Sequence, residues 1–282
     1  LIDIDPEKAI GEAMDLNHGL AFAPRKMTIR AGGYEECKDA GLVVITAGVN
    51  QKEGETRIQL LNRNAGIMKS VVKNIMASEF SGIILVASNP VDILAYVAWK
   101  ESGLPSNRVI GSGTSLDTAR LRYEISYKVK IDPRNIHAYI LGEHGDSEFV
   151  AWSNAHIGAK NINDVINDMD EINFEDLDQI YMKVRDAAQE IIKRKKATYY
   201  GVGMALVRIT TAIFNNENRI MPVSVLNDGL YNCESDLYIG LPAVLNRDGV
   251  HHVVKLTLNL EENNKLKKSA NILKQNLTDI GY

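Results

Sequence analysis

The sequence has little cysteine, few aromatics, no long apolar run and no excess of positive charge. Each shortage removes a class of protein. Only two cysteines, Cys37 and Cys233, occur in 282 residues. They form neither a disulfide framework nor a metal-ligand spacing, and they suit a reducing compartment. No apolar stretch reaches the roughly 18 residues that a membrane span requires. No basic–apolar–small-residue leader is legible. Both absences favour the cytoplasm and argue against a membrane partner. The 32 Lys and Arg are outnumbered by 36 Asp and Glu, for a net charge of −4. No basic stripe with interleaved aromatics occurs, so nucleic acid is a poor candidate partner. Internal repeats and low-complexity segments are also missing.

What is present is 45% hydrophobic content, enough for one large or two medium domains. Leu1–Asp3 reads as the end of a buried strand, and Pro6 opens a helix over Glu7–Leu16, where a missing N–H costs nothing. Lys26–Ala31 alternates like a short strand. GLVVITAG (41–48) and GIILVASNP (82–90) are continuous apolar runs, the pattern of parallel strands covered on both faces. Between them Ile58, Leu61, Ala65, Met68, Val72 and Ile75 recur at helical spacing. A helix over Val91–Glu101 and a short strand over Arg108–Ile110 complete a strand–helix rhythm that predicts an α/β fold with a parallel sheet. Ligands in such sheets bind beyond the carboxyl ends of the strands, where Asp3, Thr46–Gly48 and Ser88–Pro90 fall.

The pattern changes after about residue 112. Residues 1–112 therefore form one expected domain and 113–282 a second, of α+β type. The second has helices over Ser115–Tyr127 and within Leu177–Phe214 (broken near Gly201), strands over Ile136–Leu141 and 251–260, and a terminal helix over Asn263–Ile280. The acidic stretch Asn161–Asp178 reads as a surface connection.

Two short stretches carry candidate chemistry. In GTSLDTARLR (113–122), Asp117 and Arg120 share one helical face. They could form an ordinary surface ion pair, or the acid could orient a histidine while the arginine binds an anion. In GEHGDS (142–147), His144 sits between two acids and two glycines, which permit a tight backbone path around the ring. It is either a structural histidine or one that gains and loses a proton. Arg57 follows the polar loop NQKEGET, which could close over a crevice or stay solvated. Asn89 could face a ligand or brace a turn.

Five segments together, TAGVNQKEGETR, SNPVD, GSGTSLDTAR, LGEHGDS and KKATYYG, resemble the L-lactate dehydrogenases within the wider lactate/malate dehydrogenase family. The resemblance covers nearly the whole chain in order. It implies a Rossmann-like dinucleotide-binding domain followed by an α+β catalytic domain. It makes His144 the acid–base group in reduction of pyruvate to lactate, with Asp117 orienting the ring and favouring imidazolium. It gives Arg120 the substrate carboxylate and Arg57 the developing charge on the carbonyl oxygen. Thr198 would line the pocket by the substrate methyl group, and Asn89 would contact the substrate oxygen. Gln51 stands where the related malate enzymes carry Arg. A neutral side chain there would leave a second carboxylate unpaired, which favours a monocarboxylate. A branched-chain 2-hydroxy acid dehydrogenase is the near alternative.

The resemblance also implies NAD. Thr46, Ala47 and Gly48 would pass beneath its pyrophosphate and adenosine, and Ser88, Asn89, Ser112 and Val202 would lie near the nicotinamide. Asp3 fits the acid that binds the adenosine ribose, and a carboxylate there disfavours a 2′-phosphate. The Gly-rich turn that normally precedes that acid is not found in these residues. It is expected roughly 30 residues' worth of chain upstream, with the first strand. A protein truly without that piece would be a binding or scaffolding relative with no chemistry. Arg122 and His137 match the effector positions of fructose-1,6-bisphosphate-activated bacterial enzymes, which implies an allosteric homotetramer. Two departures stand out: Glu53 where the family often has Pro, and Lys196 where Gly is common.

Overall fold

The computed structural model describes residues 1–52 and 54–282, so the expectation for Glu53 lies outside the described residues. Helix α1 (Pro6–His18) starts where expected, because Asp5 accepts hydrogen bonds from the Glu7 and Lys8 amides and Pro6 needs no partner. Strand β1 (Leu42–Ile45), helix α2 (Arg57–Ala77), strand β2 (Ile83–Val86), helix α3 (Val91–Ser102) and strand β3 (Val109–Gly111) follow in the expected rhythm. The three strands pair in parallel, β1 on β2 and β2 on β3. A reciprocal capping box, Thr56 with Gln59, starts α2 immediately after the polar loop.

Two strand expectations fail. Leu1–Asp3 and Lys26–Ala31 are extended but join no sheet. The two segments hydrogen-bond at Leu1 alone among the described residues: its amino group donates to the Arg30 carbonyl at 2.6 Å and its carbonyl accepts from Gly32 N–H at 3.0 Å. Strand β1 is also less buried than its apolar run implies: it is the sheet's outer strand, and Val44 is 38% exposed while β2 is buried throughout. The run 41–48 is apolar on both faces, but among the described residues only β2 pairs with its strand.

The rest of the chain begins with helix α4 (Ser115–Val129). Next come strands β4 (Ile136–His137), β5 (Ile140–Leu141), β6 (Phe149–Val150), β7 (His156–Ile157) and β8 (Lys160–Asn161). The single strand expected over Ile136–Leu141 is thus two: β4 joins β7 and β8, while β5 pairs with β6. Helices α5 (Ile162–Asp168), α6 (Phe174–Lys195) and α7 (Tyr200–Phe214) come next. The acidic connection 161–178 therefore contains a helix and the start of another. The break expected near Gly201 lies just before it, between Lys195 and Tyr200. Lys196 adopts a left-handed conformation (φ 74°) as the C-cap, where glycine would be unstrained.

Strands β9 (Arg219–Asn227), β10 (Leu237–Asn246) and β11 (Gly249–Val253) and helix α8 (Leu260–Asp279) complete the molecule. β9 and β10 run antiparallel over nine residue pairs, and β9 meets β3 at Gly111–Ser224. One six-stranded sheet, β1-β2-β3-β9-β10-β11, therefore runs through both halves of the sequence. Its core joins Ile84, Leu85 and Leu94 to Ile239 and Leu273, while a second core gathers Leu121, Ile125, Ile140 and Val184. The 251–260 strand expectation is correct only at its start, since β11 ends at Val253.

The fully buried strand β10 holds the histidine loop in place. Gly142 N–H donates to the Gly240 carbonyl at 3.0 Å, and Gly240 N–H returns a bond to the Gly142 carbonyl at 2.9 Å. A Cβ at Gly240 would sit 2.7 Å from the Gly142 oxygen and 3.0 Å from Thr114. Gly240→Ala should therefore push these segments apart, costing about 1–3 kcal/mol. Thermal unfolding should show a Tm several degrees lower, and an unchanged Tm would mean the contact relaxes freely.

Candidate active site

The site forms where the start of α4, the turn between β5 and β6, and the start of α2 converge. Asp117 lies in the first turn of α4 and is 2% exposed. Its Oδ2 meets His144 Nδ1 at 2.6 Å and its Oδ1 accepts from Arg120 Nη1 at 2.9 Å. Both readings of the Asp117–Arg120 spacing are therefore correct in part. The ion pair exists, but it is buried, and the same carboxylate orients the histidine. Nδ1 is held by Asp117, and Nε2 makes no hydrogen bond among the described residues. The ring's side chain is 25% exposed.

Electrostatics follow from this geometry. Burial of the ring opposes its charge, but the Asp117 carboxylate outweighs it, and the imidazole is pushed up to about 9. Burial also opposes charge on Asp117, but His144 and then Arg120 hold its carboxyl below the ordinary range. Near neutrality the pair is therefore imidazolium and carboxylate.

A second buried acid fixes the histidine's backbone. Asp92, 2% exposed in the first turn of α3, accepts the His144 amide at 2.8 Å through Oδ2 and the Ser224 hydroxyl at 2.5 Å through Oδ1. Burial pushes its carboxyl up to about 6, with those two hydrogen bonds pulling the other way. The chain path needs glycine here, with φ 96° at Gly142 and 155° at Gly145. The neighbouring Glu143 amide donates to Ser269 Oγ of α8 at 2.6 Å, and Ser147 Oγ donates to Glu143 at 2.5 Å.

Arg57, the first residue of α2, points at this turn: its guanidinium lies 3.7 Å from Glu143 and 3.9 Å from Asp146 while remaining 70% exposed. Gln51 is turned into its own loop, donating to the Glu55 carbonyl at 2.6 Å. Thr198 is half-buried in the turn before α7, and Val202 is half-buried in that helix, whose Gly201 packs on Leu116 beside Asp117. Arg122 donates to the Ala138 carbonyl at 3.2 Å, next to the exposed His137. Arg122 is thus tied to the residue that follows His137.

The parallel strands deliver the expected cofactor residues to one edge. Thr46, Ala47 and Gly48 follow β1 and are exposed. The buried Ser88 donates to the Ala47 carbonyl at 2.6 Å, and Ser112 N–H donates to the Val86 carbonyl at 2.8 Å. Asn64 of α2, which sequence reasoning missed, clamps this edge. It is 3% exposed, accepts from Val49 N–H at 2.9 Å, and donates to the carbonyls of Val49 at 3.3 Å and Asn89 at 3.5 Å. The Asn89 side chain is exposed and makes no hydrogen bond among the described residues, so it does not brace the turn. Asp3 is exposed, 3.3 Å from Lys8, with its carboxyl held low by the Asp5 amide and then Lys8. An open strand-end edge and an ionised acid fit a dinucleotide and its ribose diol.

A surface cavity of about 320 Å³ lined by Tyr231, Lys255 and Asn263 shares no residue with this site. One donor atom each from Asp117, His144 and Glu148 lie within 4.8 Å of one another, close enough to consider a cation. Both Asp117 oxygens are already committed to Arg120 and His144. The cluster is therefore read as proton chemistry. No helix of the described residues is long and apolar enough to cross a membrane.

Fold and site together define a class: α/β proteins in which a carboxylate-paired histidine, flanked by arginines, faces a crevice at the ends of parallel strands. Residues 1–111 match the NAD binding domain of the lactate/malate dehydrogenases and residues 114–281 match their alpha/beta C-terminal domain. The chain belongs to the lactate/malate dehydrogenase family, and its cofactor is NAD. It is 52% identical to L-lactate dehydrogenase 2 of Bacillus cereus over 280 residues, covering 99% of this chain and 89% of that protein. It superposes with a TM-score of 0.99 and 76% identity on a lactate dehydrogenase from a Medee basin deep-sea metagenome library, covering 100% of this chain and 90% of that one. With the ligand-bound minor L-lactate dehydrogenase of Enterococcus mundtii the TM-score is 0.96 at 48% identity, over 99% and 89% of the two chains.

The His144 charge depends on Asp117, which gives a direct test. In the wild type His144 should titrate at about 9. In Asp117→Asn the main anion is gone while burial remains, so the titration should fall to 6.5 or below, read from imidazole proton NMR. Because the folded value lies above the ordinary 6.5, the pair's stabilisation is fully present below about 6.5 and fades as pH rises through about 9. An unshifted His144 in the variant would remove Asp117 as the cause.

Proposed function

We propose that this protein is an L-lactate dehydrogenase that reversibly reduces pyruvate to (S)-lactate. The observation that carries the reading is the buried Asp117 carboxylate holding His144 through Nδ1 while also engaging Arg120. When bound, NADH supplies the hydride. We assign its binding to Asp3, Thr46, Ala47, Gly48, Ser88, Asn89, Ser112 and Val202.

The chain's own residues do the rest. Imidazolium His144 holds a proton at Nε2 and releases it to the alkoxide oxygen as that oxygen forms; in reverse, the neutral ring takes the proton from the lactate hydroxyl. Asp117 keeps Nδ1 protonated, so Nε2 is the nitrogen that cycles. Arg120, whose remaining guanidinium N–H groups are uncommitted among the described residues, holds the substrate carboxylate. That contact fixes the keto carbon beside His144. Arg57 swings from Glu143 and Asp146 onto the carbonyl oxygen as negative charge grows there, and closing its loop excludes water. Asn89 contacts the same oxygen. Thr198 bounds the methyl side of the pocket.

The neutral Gln51 sets the preference for a monocarboxylate. Residues 1–112 form the NAD-binding unit and 113–282 the substrate unit. Arg122 and His137 form a fructose-1,6-bisphosphate site across a homotetramer interface. The adjacency of both residues at Ala138 supports that reading, as do exposed apolar side chains on α7, with Met204 75% and Val207 67% exposed. An allosteric enzyme of the cytoplasm is the setting that fits.

Turnover of NADH with pyruvate, oxaloacetate and 2-ketoisocaproate, with and without fructose-1,6-bisphosphate, tests these assignments. Pyruvate should give the highest kcat/KM, and the bisphosphate should raise it. Gln51→Arg should move the preference towards oxaloacetate by about 10- to 100-fold, the worth of one charge-assisted hydrogen bond. A branched substrate turned over faster than pyruvate would reassign the pocket to larger 2-hydroxy acids.

A further inference from the structure

Glu148 has no part in the mechanism above, yet it stands inside the site. It is 5% exposed, and one of its carboxyl oxygens lies within 4.8 Å of both an Asp117 oxygen and a His144 ring nitrogen. The two acids are not equivalent. Asp117 receives hydrogen bonds from His144 at 2.6 Å and Arg120 at 2.9 Å. No side chain of the described residues hydrogen-bonds the Glu148 carboxyl. A backbone contact at Gly145 favours its charged form, and its own backbone is held by Tyr181 Oη, which donates to its carbonyl at 2.6 Å, and by the Gly145 carbonyl, which accepts its N–H at 3.2 Å.

Two carboxylates this close disfavour double ionisation, and the acid with more donors keeps the charge. The charged neighbours point the same way. Asp117 and Arg120 face Glu148 from α4, with His144 and Asp146 on its own turn. From α3, Asp92 acts on His144; from α6 come Tyr181 and, behind it, Arg185. α8 brings the uncharged Ser269, bonded to Ser147. The cations that act on it are His144 and Arg120, and both are committed to Asp117. Burial, and then the Asp117 charge, push the Glu148 carboxyl up to about 8.

We infer that Glu148 is a positioning residue that stays protonated in the working enzyme, so that an anionic substrate meets Arg120 and imidazolium His144 without a second carboxylate opposing it. Loss of that proton adds a negative charge beside the pair. The added charge weakens the hold on the substrate carboxylate and tightens the hold of His144 on its own proton. The effect belongs in KM for pyruvate more than in kcat. The inference rests on the lactate dehydrogenase reading.

Glu148→Gln, which keeps the shape of the neutral acid, tests it. Near neutrality its KM should stay within about threefold of wild type, since an isosteric neutral group replaces a neutral group. The wild-type KM should rise as pH passes about 8, and the variant should lose that ionisation while the one assigned to His144 moves below its wild-type position, since the Glu148 charge helps to raise it. An unchanged pH profile would overturn the inference. So would a KM raised tenfold or more near neutrality, the mark of a glutamate that works as an anion (about 1.4 kcal/mol). Infrared spectroscopy of the unliganded wild type gives a readout without turnover: the carbonyl stretch of a protonated carboxyl should fade at about 8, apart from that of Asp92 at about 6. No such band at neutrality would overturn the inference even if the variant does not fold. Failure of wild-type turnover would instead strike the lactate dehydrogenase reading and leave the band to decide the protonation state.

Discussion

The site depends on one buried carboxylate with two cations on it. Asp117 is 2% exposed and binds both His144 and Arg120. An uncompensated anion at that depth would cost several kcal/mol, so the pair and the acid hold one another in register. The same contact does chemical work. It leaves the imidazole Nε2 uncommitted among the described residues, keeps the ring charged near neutrality, and holds Arg120 on the same carboxylate.

That arrangement needs three separate chain segments to be held to about half an ångström, and the sheet supplies the frame. Asp92 joins the start of α3, the His144 amide and Ser224 of β9. The Gly142–Gly240 bridge ties the same turn to β10, and Ser115 Oγ reaches the Pro222 carbonyl of β9 at 2.6 Å. The long antiparallel pair β9–β10 thus anchors both α4 and the histidine turn, while the parallel strands β1–β3 present the cofactor edge. The six-stranded sheet runs through both halves of the sequence and so joins that edge to the histidine turn.

Much of this was legible in the sequence. The alternation of apolar runs and helical spacing located β1, α2, β2, α3 and β3, because each carries its own local signal. The residues Asp117, Arg120, His144 and Arg57 were found from short motifs. What stayed hidden has physical causes. No element was assigned across 219–246, where β9 and β10 each contain a proline, Pro222 and Pro242, that normally argues against a central strand. The structure pairs those two prolines with one another. Leu1–Asp3 looked like a strand because its residues favour one, but a strand forms only with a partner. Asp92 and Asn64 gave no signal, since a polar residue in a helix is ordinary until long-range contacts bury it. Glu148 likewise carried no signal, since its burial beside Asp117 is a long-range contact.

His144, held charged by Asp117, supplies the proton on which turnover depends. Rapid mixing of pyruvate with the NADH complex of His144→Gln, followed by loss of NADH fluorescence, measures that dependence. Oxidation should be slowed by about 10²–10⁴-fold, the usual worth of a positioned acid–base group, with the substrate carboxylate still bound at Arg120. Oxidation at close to the wild-type rate would move the proton to another group.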